Sequence, residues 1–166
     1  MHTFLNRLKY FLIAAVIQVL LFSHIHLFGY ATVYIYLLFI MKMPRFATRN
    51  EQMMWAFALG LVVDMFSNTP GINAAAATML AFMRDYVLAM FIPNGITEDF
   101  TPGTRVLRWG AYVSYAAICT LIFCTVLFLL EFFTLSHPLH LAISISGSTL
   151  LTLLFVIVFE SLNRRN

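Results

Sequence analysis

Along the chain the apolar residues gather into six stretches separated by short polar connections. They are roughly Tyr10–Phe28, Tyr30–Met43, Gln52–Ser67, Ile72–Phe91, Leu107–Leu130 and Leu139–Phe159. At ~1.5 Å of rise per residue, the first, fourth, fifth and sixth are long enough as helices to cross a ~30 Å hydrocarbon core. The second and third are shorter. They are expected to thin the bilayer, to extend into flanking residues or to be shielded by neighbouring helices. The pattern predicts an all-α integral membrane protein with six transmembrane helices, packed as one domain over 1–166.

Composition agrees. Of 166 residues, 61% are hydrophobic, 16% aromatic and 10% charged, which excludes both an ordinary soluble domain and a disordered chain. Charge placement sets the orientation. Arg7 and Lys9 precede the first stretch; Lys42, Arg45 and Arg49 join the second to the third. Arg105 and Arg108 precede or open the fifth, and Arg164 and Arg165 follow the sixth. The opposite connections, around His24–Gly29, Asn68–Gly71 and Leu135–His140, carry no Lys or Arg. With six spans, positive-inside bias puts both termini in the cytoplasm. The pI near 9.1 therefore records topology, and no nucleic-acid partner is expected.

Ser23-His24-Ile25-His26 offers no small-residue cleavage site, so the first stretch is expected to remain as a span. Cys119 and Cys124 lie inside the fifth stretch, at a spacing that suits packing rather than a disulfide. The longest connection, Pro93–Val106, contains the turn pairs Asn94-Gly95 and Pro102-Gly103. Small residues line helix faces: Ala74, Ala77 and Ala81 in the fourth stretch, Gly110, Ser114 and Ala117 in the fifth, and Ser144, Gly147 and Ser148 in the sixth. Such faces allow close backbone approach. They serve either the bundle itself or a docking partner helix, for which Ala74, Ala77, Ala81 and Arg84 are the candidate face.

Four polar residues fall within the apolar stretches: Gln18, Asp64, Arg84 and Asp85. Asp64 lies about one turn before the Ser67–Gly71 connection. From there a carboxylate can accept from turn amides or from the N-terminus of the next helix, pinning a hairpin. A proton relay is the other reading, but no acidic or His partner is evident at that depth. Arg84 lies ~18 Å below the outer end of its helix and Asp64 only ~5 Å, so the two are not expected to pair. Arg84 is expected to snorkel to the interface or to meet Glu51, and Asp85 to meet Arg7, Arg105 or Arg108. His24 and His26 in one outer connection, with His137 and His140 in another, would supply four imidazoles to a metal if the two met. No carboxylate or thiol reinforces them, and neither metal nor cofactor is expected. No G-x-S-x-G, H-E-x-x-H or P-loop occurs, and no enzymatic activity is expected.

The segment LGLVVDMFSNTPGINAAAATMLAF resembles the bacterial rod shape-determining protein MreD family. Gly60, Asp64, Ser67, Pro70, Gly71, Asn73 and Phe82 occupy the family's places: an apolar helix with Gly and Asp, a Pro-Gly turn, then a small-residue helix. Gln18 matches a Gln often found in that family's first span, and VYIYLLFIMKMPR its second. Gly29-Tyr30-Ala31-Thr32 departs from it, lacking the Pro that often opens the second span. The resemblance implies a fold like the S-components of energy-coupling factor transporters. It also implies a non-enzymatic scaffold of the cell-wall elongation machinery that binds MreC and, through it, MreB, RodA and a penicillin-binding transpeptidase. The alternative is a substrate-binding transporter subunit. S-components dock through an A-x-x-x-A face in the first span. Here Ala14 is followed four residues on by Gln18, and Ala15 by Val19.

Overall fold

A computed structural model describes residues 2–24, 32–45, 47–92, 100–104, 106–131 and 138–165, with side chains for the central parts of the terminal helices. Its described elements are all helical: α1 (His2–His24), α2 (Leu37–Met41), α3 (Arg49–Ser67), α4 (Ile72–Ala89), α5 (Trp109–Glu131) and α6 (Pro138–Arg165). Among the described residues two helices, α5 and the Ala142–Leu162 part of α6, are long and apolar enough to cross a membrane.

The third stretch is longer than its apolar pattern suggests. Thr48 caps α3, its hydroxyl accepting from the Glu51 amide at 3.3 Å, with Glu51 at the third helical position of a capping-box sequence. The cap draws Arg49, Asn50 and Glu51 into the helix, and the 19 residues of α3 then extend about 28 Å. At the other end Asn68 adopts a left-handed conformation (φ 54°), and Gly71 follows with φ 83°. Gly pays no Cβ penalty there. These two residues reverse the chain into α4, and α3 and α4 pack closely along their length. Gly60 makes that approach possible, because a Cβ there would lie 2.4 Å from the Ala74 Cα.

The second stretch departs most from expectation. It is not a spanning helix over Tyr30–Met43. Residues 32–34 are extended, 35 and 36 form a turn, and only Leu37–Met41 is helical. Five consecutive residues, Thr32 to Tyr36, are β-branched or aromatic and lose χ1 freedom in a helix. The segment also lies inside the bundle rather than beside it. Tyr36, Leu37, Ile40 and Met41 are fully buried, and α2 touches α1, α3, α4 and α5. Around it α4 packs on α5, α5 on α6, and α1 on α3. One hydrophobic core runs through all six helices, including Ala15, Leu59, Leu80, Phe123 and Val156.

The proposed docking face is also corrected. Ala74, Ala77, Ala81 and Arg84 are buried within the chain, so this stripe packs the bundle and offers no face to a partner. Close packing of α3 on α4 at Gly60 covers Ala74, and Arg84 turns inward to the Met41 and Met43 carbonyls. Replacing Gly60 by Ala should cost about 1–3 kcal/mol through overpacking against backbone. Gly110→Ala, where a Cβ meets nothing within 4 Å, should change stability by less than about 1 kcal/mol. Thermal unfolding of both variants in mild detergent checks the contrast.

Candidate functional site: a buried strap and its polar clamps

An extended segment inside an apolar bundle has backbone amides and carbonyls that no helix satisfies. Left unpaired, each costs about 1–3 kcal/mol. In this protein the Tyr34, Ile35 and Tyr36 carbonyls accept from the Leu37, Leu38 and Phe39 amides, and side chains from the surrounding helices take up others. Fully buried Gln18 of α1 donates from Nε2 to the Val33 carbonyl at 2.9 Å. Its Oε1 accepts from the Ile35 amide at 2.8 Å and the Tyr36 amide at 3.4 Å. From the other side, Ser148 and Thr152 of α6 accept from the amides of Thr32 (3.2 Å) and Tyr34 (3.3 Å). One glutamine and two hydroxyls thus act on residues 32–36 as neighbouring strands would.

At the far end of the strap the clamp is Arg84. Its guanidinium is fully buried. Nε donates to the Met41 carbonyl at 3.4 Å and Nη2 to that of Met43. Nη1 donates to Gln52 Oε1 at 2.8 Å and to Asp85 Oδ1 at 3.1 Å. The Tyr115 hydroxyl donates to the Met41 carbonyl at 3.2 Å. Gln52 completes the node, its Nε2 donating to the Ala47 carbonyl at 2.9 Å and to Asp85 Oδ2 at 3.2 Å. The expected snorkelling of Arg84 does not occur, because the carbonyls at the α2 exit offer it buried acceptors. Asp85 pairs with Arg84 and Gln52 rather than with Arg7 or Arg108, and Glu51 takes Arg7 as its ionic partner.

Asp64 holds the opposite end of the α3–α4 hairpin. Oδ1 accepts from the Thr69 hydroxyl (2.9 Å), the Asn73 amide (3.0 Å) and Asn73 Nδ2 (3.1 Å). Oδ2 accepts from the Ala74 amide at 2.9 Å. The carboxylate sits on the first amides of α4, where the helix dipole favours negative charge. It receives four donors, close to the capacity of an ionised carboxylate. Asn73 links the turn to the strap, because its Oδ1 accepts from the Tyr36 hydroxyl at 3.1 Å. Pro70 is exposed in the turn, and Gly71 supplies its left-handed backbone.

A fourth clamp was not evident in the sequence. Lys42, just after α2, forms an ion pair with Glu160 of α6 at 2.6 Å and lies 5.6 Å from the Phe159 ring centroid. Glu160 Oε1 also accepts from the amide (2.9 Å) and hydroxyl (3.0 Å) of Thr104. A signal for it did exist. Ser144, Ser148, Thr152, Val156 and Glu160 recur every four residues along α6, and all are buried. The stripe is mostly polar and ends in an acid.

Beside the strap a cleft of about 610 Å³ is lined by residues of α1 and α6, by Leu38 and Phe39 of α2, and by residues 101–104. Its charged lining residues are Arg7, Lys42 and Glu160. Of the histidines, His26 and His137 and the side chains of His24 and His140 lie outside the described residues, as does Arg105. Among the described residues no group of three or more metal-ligating side chains gathers. Comparison with known protein families, with curated proteins and with solved structures returned no match to this chain.

The clamps carry a direct test. Gln18→Leu keeps the volume but leaves the Val33 carbonyl and the Ile35 amide without partners. Asp64→Ala leaves the Asn73 and Ala74 amides uncapped. Each variant should lose about 2–4 kcal/mol of stability, read as a lower unfolding midpoint and a smaller monodisperse yield in detergent. An unchanged midpoint for Gln18→Leu would mean that the strap is held by packing alone.

Proposed function

We propose that this protein is a six-span scaffold of the bacterial cytoplasmic membrane, an MreD-like subunit of the cell-wall elongation machinery with both termini inside. It binds an MreC-like single-span protein and, through it, MreB, RodA and a penicillin-binding transpeptidase. The observation that carries the reading is what the buried polar residues do. Gln18, Asp64, Arg84, Ser148 and Thr152 are all engaged in holding backbone. Such an interior suits a rigid platform rather than a reaction centre.

The outer surface supports the membrane placement. Met54, Phe57, Leu61 and Met65 project from α3, and Met79, Phe82 and Tyr86 from α4, with Met65 82% exposed. A soluble monomer rarely shows apolar surface on this scale. The contacts Arg7–Glu51, Lys42–Glu160 and Arg45 amide to Phe100 carbonyl gather basic connections at one end of the bundle. Asp64 and its turn cap the other end of α3, in keeping with the positive-inside orientation.

The cleft between α1 and α6 favours a second reading, a substrate-binding transporter subunit. Against it, Gln18 fills the last place of the A-x-x-x-A frame and faces inward. Co-purification decides between them. The tagged chain is expressed at native level in its own host, gently solubilised, and its companions are identified. An MreC-like protein with elongation enzymes is the expected result. ATPase subunits of a transporter in their place would overturn the scaffold.

A further inference from the structure

Arg49 is the first residue of α3, at the end of the bundle where the basic connections gather. Its guanidinium carbon lies 5.1 Å from the Phe82 ring centroid and 4.9 Å from that of Tyr86. The two rings, with centroids 6.1 Å apart, are both exposed on α4 and form a platform for the cation. Contacts of this kind hold a guanidinium in place without using its N–H donors. Among the described residues Arg49 forms no ion pair, and its side chain donates no hydrogen bond. The acids at neighbouring positions are already taken, Glu51 by Arg7 and Asp85 by Arg84. A held cation with unused donors on an exposed face is complementary to an oxyanion.

An apolar track starts from the same platform. Tyr86, Phe82, Met79 and Ala75 follow at spacings of three or four residues and are all exposed, so they share one face of α4. From Tyr86 to Ala75 that face runs about 16 Å by helical rise, close to one leaflet of a ~30 Å hydrocarbon core. The tyrosine and the cation stand at its cytoplasmic end, at the level of the headgroups. We propose that Arg49, Phe82 and Tyr86 bind one anionic phospholipid of the cytoplasmic leaflet. The guanidinium edge takes the phosphate, and an acyl chain lies along Phe82, Met79 and Ala75. A zwitterionic lipid brings its own cation to the same place and is held less well. An acidic peptide fits less well, because the surface leading from this single cation is apolar for the depth of a leaflet. The proposal rests on the membrane placement of the scaffold and not on the identity of any protein partner.

The test uses the full chain in vesicles of equal phosphatidylglycerol and phosphatidylcholine, extracted into mild detergent, with retained lipid counted by native mass spectrometry. The wild-type chain should retain phosphatidylglycerol in preference. Arg49→Gln should lower that preference by about five-fold, the effect expected of one cation near an anionic surface. Phe82→Leu combined with Tyr86→Leu keeps the charge and an apolar surface but removes the platform, and should lower it as well. Arg108→Gln, at an exposed cation of the same end, should leave it unchanged. Equal retention of the two lipids by the wild-type chain would overturn the proposal and leave the Arg49 edge to an acidic segment of another protein. Equal preferences in Arg49→Gln and Arg108→Gln would overturn it too, as would an unaltered preference in the folded double Leu variant, because diffuse charge would then suffice. Carbonate extraction of native membranes separates the failures. A chain stripped by carbonate overturns the membrane placement as well, whereas a chain that stays but shows no lipid preference overturns the lipid site alone.

Discussion

Everything in this bundle is arranged around the backbone of residues 32–43. Where that chain runs extended, over 32–34, and where α2 ends at Met41, amides and carbonyls lack helical partners, and in lipid no water can reach them. Helices from four parts of the sequence supply the missing partners: Gln18 from α1, Arg84 from α4, Tyr115 from α5, and Ser148 and Thr152 from α6. Each is a polar side chain that would be costly where it sits without that task. The strap and its clamps therefore explain one another. Irregular backbone is tolerated because polar residues surround it, and the polar residues are tolerated because the backbone occupies them.

The two ends of the strap are held differently. Near Tyr36 the ties are neutral hydrogen bonds, reaching through Asn73 to the Asp64 carboxylate on the first turn of α4. Near Met41 and Met43 they are charged, and a buried guanidinium faces the carbonyls at the end of α2. Lys42 and Glu160 extend this charged end to α6 and the 100–104 segment. The α3–α4 hairpin touches both ends, through Asp64 at one and through Gln52 and Arg84 at the other. Close packing at Gly60 holds those two anchors on one rigid unit.

Much of this was legible in the residues themselves. Asp64 stands a turn before a Pro-Gly reversal, and a carboxylate at that spacing has the next helix's first amides within reach. Its four donors in the structure follow from that local geometry. Gln18 stood out as an amide inside an apolar stretch, but its partners are 15 to 18 residues away and lie on a segment that reads as a helix. The ion pair of Lys42 with Glu160 joins residues that sequence spacing gives no means of pairing.

By itself the sequence determined that most of the apolar stretches are helical, the reversal between Ser67 and Gly71, and the apolar character of the whole. These depend on propensity, capping and left-handed backbone, which act over a few residues. Only the tertiary structure decided that the second apolar stretch is an interior strap, that Arg84 is buried rather than at an interface, and that the Ala74, Ala77 and Ala81 stripe faces inward. Those outcomes depend on which groups surround a residue. A hydrogen bond offered by a distant helix outweighs local preference wherever water is excluded.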